Sequence, residues 1–541
     1  MNENYGDYFK VNRKVNVTAI LLVLIVAVIG IGYFLFKDEI NSYFTKKITK
    51  MTILSSTSNE FFDADLKRLA LSNDIEITID YKEDIEIIES INNNSSSNYN
   101  AIWLSNSIWL NMLNNETIAT DVKTMGISPV VLGINKDLVA SLGLINKDIT
   151  NKDLWGLISS GKLKFVMSSV TQTNAGASLY LGLVNYIVSE MGGIDKNVLQ
   201  NEMVVNNVKS FFNGVERVAG SDKYLGEMFL NGNYNAIISY EKSLIDLNKE
   251  LTSKGKSPLY LMYPTDGVAI NDMPLVYINN TKNNKDDYDK LVSILRSNDA
   301  KNLLYKSGIR TWYGTSDTSS AIFSSDYGIN TTRYLTALKY PNREIMVEAL
   351  DLYADNFRKP NHTIFCLDTS ASMNDNNGLT ELKDAMKYIL TKEDAIKDRI
   401  QFSSNDKITV IPFNETISND IVTYSGSNTN TLKYSINRIV AGGETNFYGP
   451  LIKALSILKK EDNSNYTTTI VLMTDGQSDK NYYEEFMNYY KNNNLNIPIY
   501  SITFGNSNES QLNELASLTN GKVFNGKDGL KQAFKEVRSY N

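Results

Sequence analysis

The chain has one cysteine, Cys366, and one histidine, His362, in 541 residues. An intrachain disulfide, a zinc finger and a paired-histidine metal centre are therefore excluded, and any metal must sit on oxygen ligands. Positive charge is not in excess either: 54 Lys+Arg stand against 61 Asp+Glu, without a basic stripe or an aromatic-rich basic face, so no nucleic-acid partner is expected. A nucleotide-binding P-loop is also missing, because the one GKS, at Gly255, has Glu250 where the first glycine of G-x-x-x-x-G-K-[ST] belongs. With a single histidine, no Ser-His-Asp triad can be assembled. Cys366, inside the apolar run TIFCLD, reads as a small core residue. His362, just ahead of that run, reads as facing solvent.

At this length one hydrophobic core is not enough, and two to four folded domains are expected. From Val17 to Phe36 the stretch VTAILLVLIVAVIGIGYFLF carries no charge, the length of a helix that crosses a bilayer. It ends in Phe34, Leu35, Phe36 and Lys37, with no small-x-small cleavage site and no following cysteine for a lipid, so it reads as an uncleaved signal anchor. Lys10, Arg13 and Lys14 on one side balance Lys37, Lys46, Lys47 and Lys50 on the other, and charge counting leaves the orientation open.

Between Met51 and about Lys339, apolar runs alternate with helical patterns: MTILSS, IEITIDY, NAIWLS, SPVVLGIN, KLKFVMSS, NAIISY and PLVYIN. The alternation predicts a parallel or mixed sheet with covered faces. Several runs end in small hydroxyl residues before a helix, as in ILSSTSNEFFDADLKRL, IWLSNSIWLNML and VMSSVTQTNAGASLYLGLV. One such end is an ordinary helix cap; three in one region point to a ligand cleft at the carboxyl ends of the strands. INNNSSSN, residues 91–98, reads as a polar loop.

Together with LMYPTDGVAINDMPLVYI and LRSNDAKNLLYKSGIRT, these blocks resemble bacterial extracellular solute-binding proteins of the two-lobed periplasmic type, over residues 51 to about 311. The resemblance implies a ligand cleft near Ser55, Ser56, Ser105, Ser107, Thr173, Asn174, Tyr240 and Glu241. No lysine or arginine occurs at those strand ends, so a charged anion there would depend on backbone N–H groups and hydroxyls.

In the last third, apolar strands deliver carboxylates to their carboxyl ends in TIFCLDTSASM and TTIVLMTDGQSD, and AGGETNFYGPL lies between them. In D-x-S-x-S a tight turn lets alternate side chains converge, so that Asp368, Ser370 and Ser372 suit a hard cation such as Mg2+, with Mn2+ also fitting. With Thr445 and Asp475 this pattern resembles the von Willebrand factor type A domain and its metal-ion-dependent adhesion site. Leu382, Ala385, Met386, Ile389 and Leu390 mark the buried face of the helix after the first loop. KITVIPFNETI and IPIYSITFGNS read as strands, and NELASLTNGKVF as a closing helix and strand. Glu444 sits between the glycines and Thr445, where many members have the threonine directly, and would place a further acidic group near the metal. An EF-hand reading of NDNNG fails, because aligning its glycine on Gly378 puts Met373 at the first ligand position.

The expected fold is α/β: a cytoplasmic tail (1–15), a single transmembrane anchor (16–37) and, outside the cell as the resemblance implies, a two-lobed periplasmic-binding-protein-like domain (51–339), a linker (340–360) and a Rossmann-like type A domain (361–541). The expected function is non-enzymatic recognition at the cell surface. The metal site (Mg2+, alternatively Mn2+ or Ca2+) takes a protein partner, the cleft takes a small solute, and the anchor takes the membrane. The alternatives are a solute receptor for a transporter and an accessory subunit of a metal-dependent enzyme.

Overall fold

The computed structural model describes residues 17–37, 48–93, 98–115, 117–190, 196–313, 321–479, 481–493, 496–505, 507, 509–527 and 529–540. The tail 1–15, Lys46, Lys47 and residues 94–97 of the expected loop lie outside the described residues.

Val17–Leu35 is a helix of 19 residues. Among the described residues no helix is long and apolar enough to cross a membrane, so the expected transmembrane anchor is not supported.

Every apolar run singled out between 51 and 339 contains a strand, and the strands divide between two sheets. In the first, Ile75–Lys82, Thr49–Ser56 and Ala101–Trp103 run parallel, and Pro274–Ile278 pairs antiparallel with both Ala101–Trp103 and Ala119–Thr124. The second is ordered Ala269–Asn271, Ser128–Asn135, Ala236–Tyr240, Phe165–Ser168, Val215–Ala219, with Leu259–Met262 also on Ser128–Asn135. The chain crosses from one sheet to the other between Thr124 and Ser128 and back between Asn271 and Pro274, which makes two lobes joined by short strand connections. A third passage lies beside them, where Ile127 and Arg310 exchange backbone hydrogen bonds of 2.9 Å.

Residues 340–360, expected as a linker, include the helix Arg343–Leu352. Its Ile345, Met346, Ala349 and Leu350 are buried in the same core as Tyr180 and Phe212 of the second lobe, and the Tyr180 hydroxyl donates to Ala349 O at 2.5 Å. A linker cannot bury that much apolar surface; the segment is part of the two-lobed body.

The last sheet is ordered Val422–Ser425, Lys407–Phe413, Asn361–Asp368, Thr467–Thr474, Ile499–Thr503, Val523–Asn525, parallel except for its first strand. Asn361–Asp368 and Thr467–Thr474 are buried at every position, as befits central parallel strands covered on both faces. The expected face of helix Gly378–Leu390 is buried residue for residue. Cys366 is buried, and burial pushes its thiol up. His362 corrects the expectation: it lies within the strand, fully buried, with Nε2 2.9 Å from Thr409 Oγ1.

This third sheet region packs on the second lobe. Arg217 Nη2 donates to Asn496 O (2.9 Å) and Nη1 to Thr468 O, the Tyr224 hydroxyl donates to Gly521 O (3.0 Å), and the rings of Tyr224 and Tyr540 meet edge-on at 5.0 Å. Arg358 joins the two regions from the other side through a bidentate pair with Asp406.

Candidate functional site

Two clusters of polar side chains lie at strand ends. In the last sheet, Leu367 is in register with Met473, so Asp368 and Thr474 leave adjacent central strands side by side. Thr474 Oγ1 donates to Asp368 Oδ2 at 2.6 Å, and the Ser370 amide donates to Asp368 Oδ1 at 2.8 Å. Ser370 Oγ and Ser372 Oγ are 3.0 Å apart, and Ser372 Oγ donates to Asp475 Oδ1 at 2.8 Å. Asp368, Ser370, Ser372 and Asp475 thus form one connected oxygen cluster.

Thr445 lies beside the residue that follows Asp475, in a close approach that glycine permits: a Cβ on Gly476 would stand 2.8 Å from Thr445 Oγ1. The loop carrying Thr445 is pinned to the first loop by Gly442 N to Thr369 O (2.8 Å) and Ala371 N to Gly443 O (2.9 Å). It is pinned to the next strand by Asn414 Nδ2 to Gly442 O (2.9 Å). Glu444 is exposed, and its amide donates to Glu415 Oε2 at 2.8 Å. Thr474, Asn414 and Glu415 were not found by sequence reasoning, although TDG already held a hydroxyl beside its carboxylate.

Burial pushes the carboxyl groups of Asp368 and Asp475 above the usual aspartate range, and Asp475 adds to the effect on Asp368 as Asp375 does on Asp475. The charges acting on the pair are all acidic, which favours a cation among them. The donors are two carboxylates and three hydroxyls, a hard set that fits Mg2+ or Mn2+. Among the described residues no group of three or more His, Cys, Asp or Glu gathers as a metal cluster, so any cation here depends on the hydroxyls.

The second cluster lies between the two lobes. Asp84, fully buried, accepts from Ser56 Oγ (2.6 Å) and from the Ser105 amide (2.9 Å). Asn174 Nδ2 crosses from the second lobe to Ser56 Oγ and Ser58 Oγ, both at 3.3 Å. Tyr240 also belongs here, in the field of Asp222, Asp84 and Glu83 and beside Ser58. The structure therefore brings together Ser56, Ser105, Asn174 and Tyr240.

The other expected cleft residues have polar groups engaged by neighbours, although Thr173 also lines a cavity with Asp84 and Asn174. Ser55 Oγ donates to the backbone oxygen of Trp103 at 3.3 Å, and Thr173 Oγ1 to that of Ser169 at 2.8 Å. Ser107 presents its amide to Asp272 at 2.8 Å. Glu241 corrects the expectation of a ligand-binding carboxylate: fully buried, it takes Arg310 Nε at 2.8 Å and Nη2 at 2.6 Å and also accepts from the Tyr263 hydroxyl.

Glu83, Asp84 and Asp222 were not among the expected residues, since the strand ends were read chiefly by their hydroxyl and amide residues and Glu241 was the one carboxylate among them. Asp84 and Asp222 open the helices Asp84–Asn92 and Asp222–Asn231 directly after strands, the same placement in acidic form.

Comparison with known proteins follows the same division. No curated protein matches the chain. Among solved structures, similarity is found to a von Willebrand factor type A protein from Catenulispora acidiphila, 16% identical over 34% of this chain and 43% of that one, TM-score 0.29. The chain thus spans less than half of that protein's length. Others are the periplasmic binding protein P5PA, 11% identical over 57% of this chain and 100% of that one, TM-score 0.41, and the ferric binding protein from Campylobacter jejuni, 14% identical over 55% and 98%, TM-score 0.42. Residues 363–537, which hold the whole oxygen cluster, match the family model of the von Willebrand factor type A domain, and the carboxy-terminal third of the chain is a domain of that family.

Proposed function

We propose that this is a non-enzymatic binding protein of the cell surface, in which the type A domain takes a protein partner through a divalent cation and the two-lobed region takes a small solute. The reading rests above all on the connected oxygens of Asp368, Ser370, Ser372 and Asp475 at the ends of adjacent central strands. With Thr445 they would hold Mg2+, and the ion would supply an open coordination position for a carboxylate or other oxygen anion of the partner. The chain's own residues set the loops and surround the ion with negative charge.

The helix Val17–Leu35 supports attachment to a membrane, since Leu22, Val26, Val28, Ile29, Phe34 and Leu35 are each more than half exposed. On cell fractionation the full chain is expected with the membranes; recovery in the soluble fraction would remove this part of the proposal.

The metal reading is tested by thermal unfolding of the full chain with Mg2+ or with EDTA, beside Asp368→Ala. A ligand that binds only the native state raises stability by about 2.7 kcal/mol at a hundredfold excess over Kd. An Mg2+-dependent rise that disappears in the variant is expected. An equal response of both proteins would sink the assignment.

A further inference from the structure

The cleft between the lobes contains more buried negative charge than the protein neutralises. Glu83 and Asp84 approach from the first lobe and Asp222 from the second. The charged groups acting on Glu83 are Asp84, Asp222 and Glu86, and those acting on the Tyr240 hydroxyl are Asp222, Asp84 and Glu83. Among the described residues, none of the strongest influences on these carboxylates or on Tyr240 is a lysine or an arginine.

Polar atoms in the same place lack partners. Tyr240 is 7% exposed, and its hydroxyl, Asp222 Oδ1, Ser105 Oγ and Trp109 Nε1 are buried without a hydrogen bond of good geometry, with only Ser58, Ser168 and Asp84 standing beside the first three. Buried polar groups without partners cost free energy, and their clustering beside uncompensated carboxylates marks a place built for a ligand.

We infer that this cleft binds an organic cation carrying at least one protonated amine, an inference that rests on the solute-binding reading above. An ammonium group has several N–H donors and one positive charge, which is what separated carboxylates and an idle hydroxyl call for. An anionic solute would add to the repulsion. A bare metal ion needs ligands that converge, and among the described residues the carboxylates do not gather in that way. The entrance agrees with this chemistry: a cavity of about 350 Å3 is walled by Glu83, Glu86 and Glu89 of the first lobe and by Trp109, whose ring suits an ammonium or its alkyl chain. Lys397, Arg399 and Lys535 of the type A domain close the far wall, each already paired with an acid (Asp394, Asp351 and Asp398), so the ligand passes between the domains to reach the cleft.

The test is isothermal titration of the full chain in detergent at pH 8 with putrescine and spermidine, and with citrate and maltose for comparison. EDTA is included so that the type A site holds no cation. At least one amine is expected to bind, weakened about tenfold or more by Asp222→Asn and also weakened by Tyr240→Phe, the scale of one charge-assisted hydrogen bond. Unfolding midpoints close to the parent's establish that both variants fold. Citrate or maltose binding without amine binding overturns the cation assignment and leaves the solute-binding reading intact. Silence from all four overturns the assignment and removes support from the reading as well. Amine binding that ignores both substitutions places the cation elsewhere and equally overturns it.

Discussion

Replacing Glu241 by glutamine separates a structural carboxylate from a ligand-binding one. Glu241 and Arg310 are both fully buried, and two hydrogen bonds of 2.6 and 2.8 Å join them in a fork beside Tyr263. Burial by itself would lower the Arg310 pKa, and the adjacent carboxylate more than offsets it. Glutamine keeps the shape and removes the counter-charge, leaving a guanidinium in the interior; breaking such a pair costs about 3–5 kcal/mol. The pair joins the start of helix Glu241–Ser253 to the passage that bridges Ile127 and Arg310, so the loss falls on the two-lobed body. All four tryptophans, Trp103, Trp109, Trp155 and Trp312, lie in that body and none in the type A domain, so tryptophan fluorescence in urea reads it selectively. With slopes of about 3 kcal/mol per molar, the midpoint should fall by about 1–2 M. Glu241→Met combined with Arg310→Met should recover most of the loss, since an apolar pair can replace a buried ion pair. A midpoint for Glu241→Gln within about 0.3 M of the parent, about 1 kcal/mol on that slope, together with lost solute binding, would refute the argument and restore Glu241 to the cleft.

Other outcomes follow from the same geometry. Glu83 ionises at about 7 and Asp84 and Asp222 at about 6, pushed up chiefly by burial from 4.5 and 3.8. The folded chain therefore holds these protons more tightly than the unfolded one, and the unliganded protein should be more stable at pH 5 than at pH 8; for Asp84 alone, one unit below its folded pKa at pH 5, the difference is about 1.4 kcal/mol. Amine binding should run the opposite way, tightening as the pH rises through 6 to 7; titrations at pH 5.5 and 8 with equal affinity would contradict it. Gly476→Ala should push Thr445 away, since the added methyl would sit 2.8 Å from its hydroxyl, and should weaken Mg2+ stabilisation while leaving the far-UV circular dichroism unchanged. Cys366 should resist thiol reagents in the folded protein and react on unfolding in urea; rapid labelling of the native chain would show that the central strand is not covered on both faces.

Much was legible before folding, because local patterns carried it. Continuous apolar runs such as TIFCLD and TTIVLM mark central strands in any parallel sheet, and helix Gly378–Leu390 announces its buried face by spacing alone. D-x-S-x-S was readable for the same reason, since its three side chains are neighbours in sequence and share one turn. The helix Arg343–Leu352 was missed as a core element because nothing in its own sequence tells that Tyr180 and Phe212 will cover it.

What the sequence by itself determined is thus the place of the most apolar strands, the helix faces and the presence of a carboxylate-hydroxyl loop, all set by interactions within a few residues; Ala119–Thr124 and Val215–Ala219, less apolar, were not among them. Only the tertiary structure decided which polar residues work together. Glu241 and Arg310 are 69 residues apart and Ser372 and Asp475 are 103 apart, yet each pair shares a hydrogen bond. Tyr240 of the second lobe meets Asp84 of the first only because the chain passes between the lobes. Whether a buried carboxylate binds an arginine of its own protein or waits for a cation depends on what the fold brings within about 3 Å of it, the reach of a hydrogen bond, and that distance is not written in any local stretch of the chain.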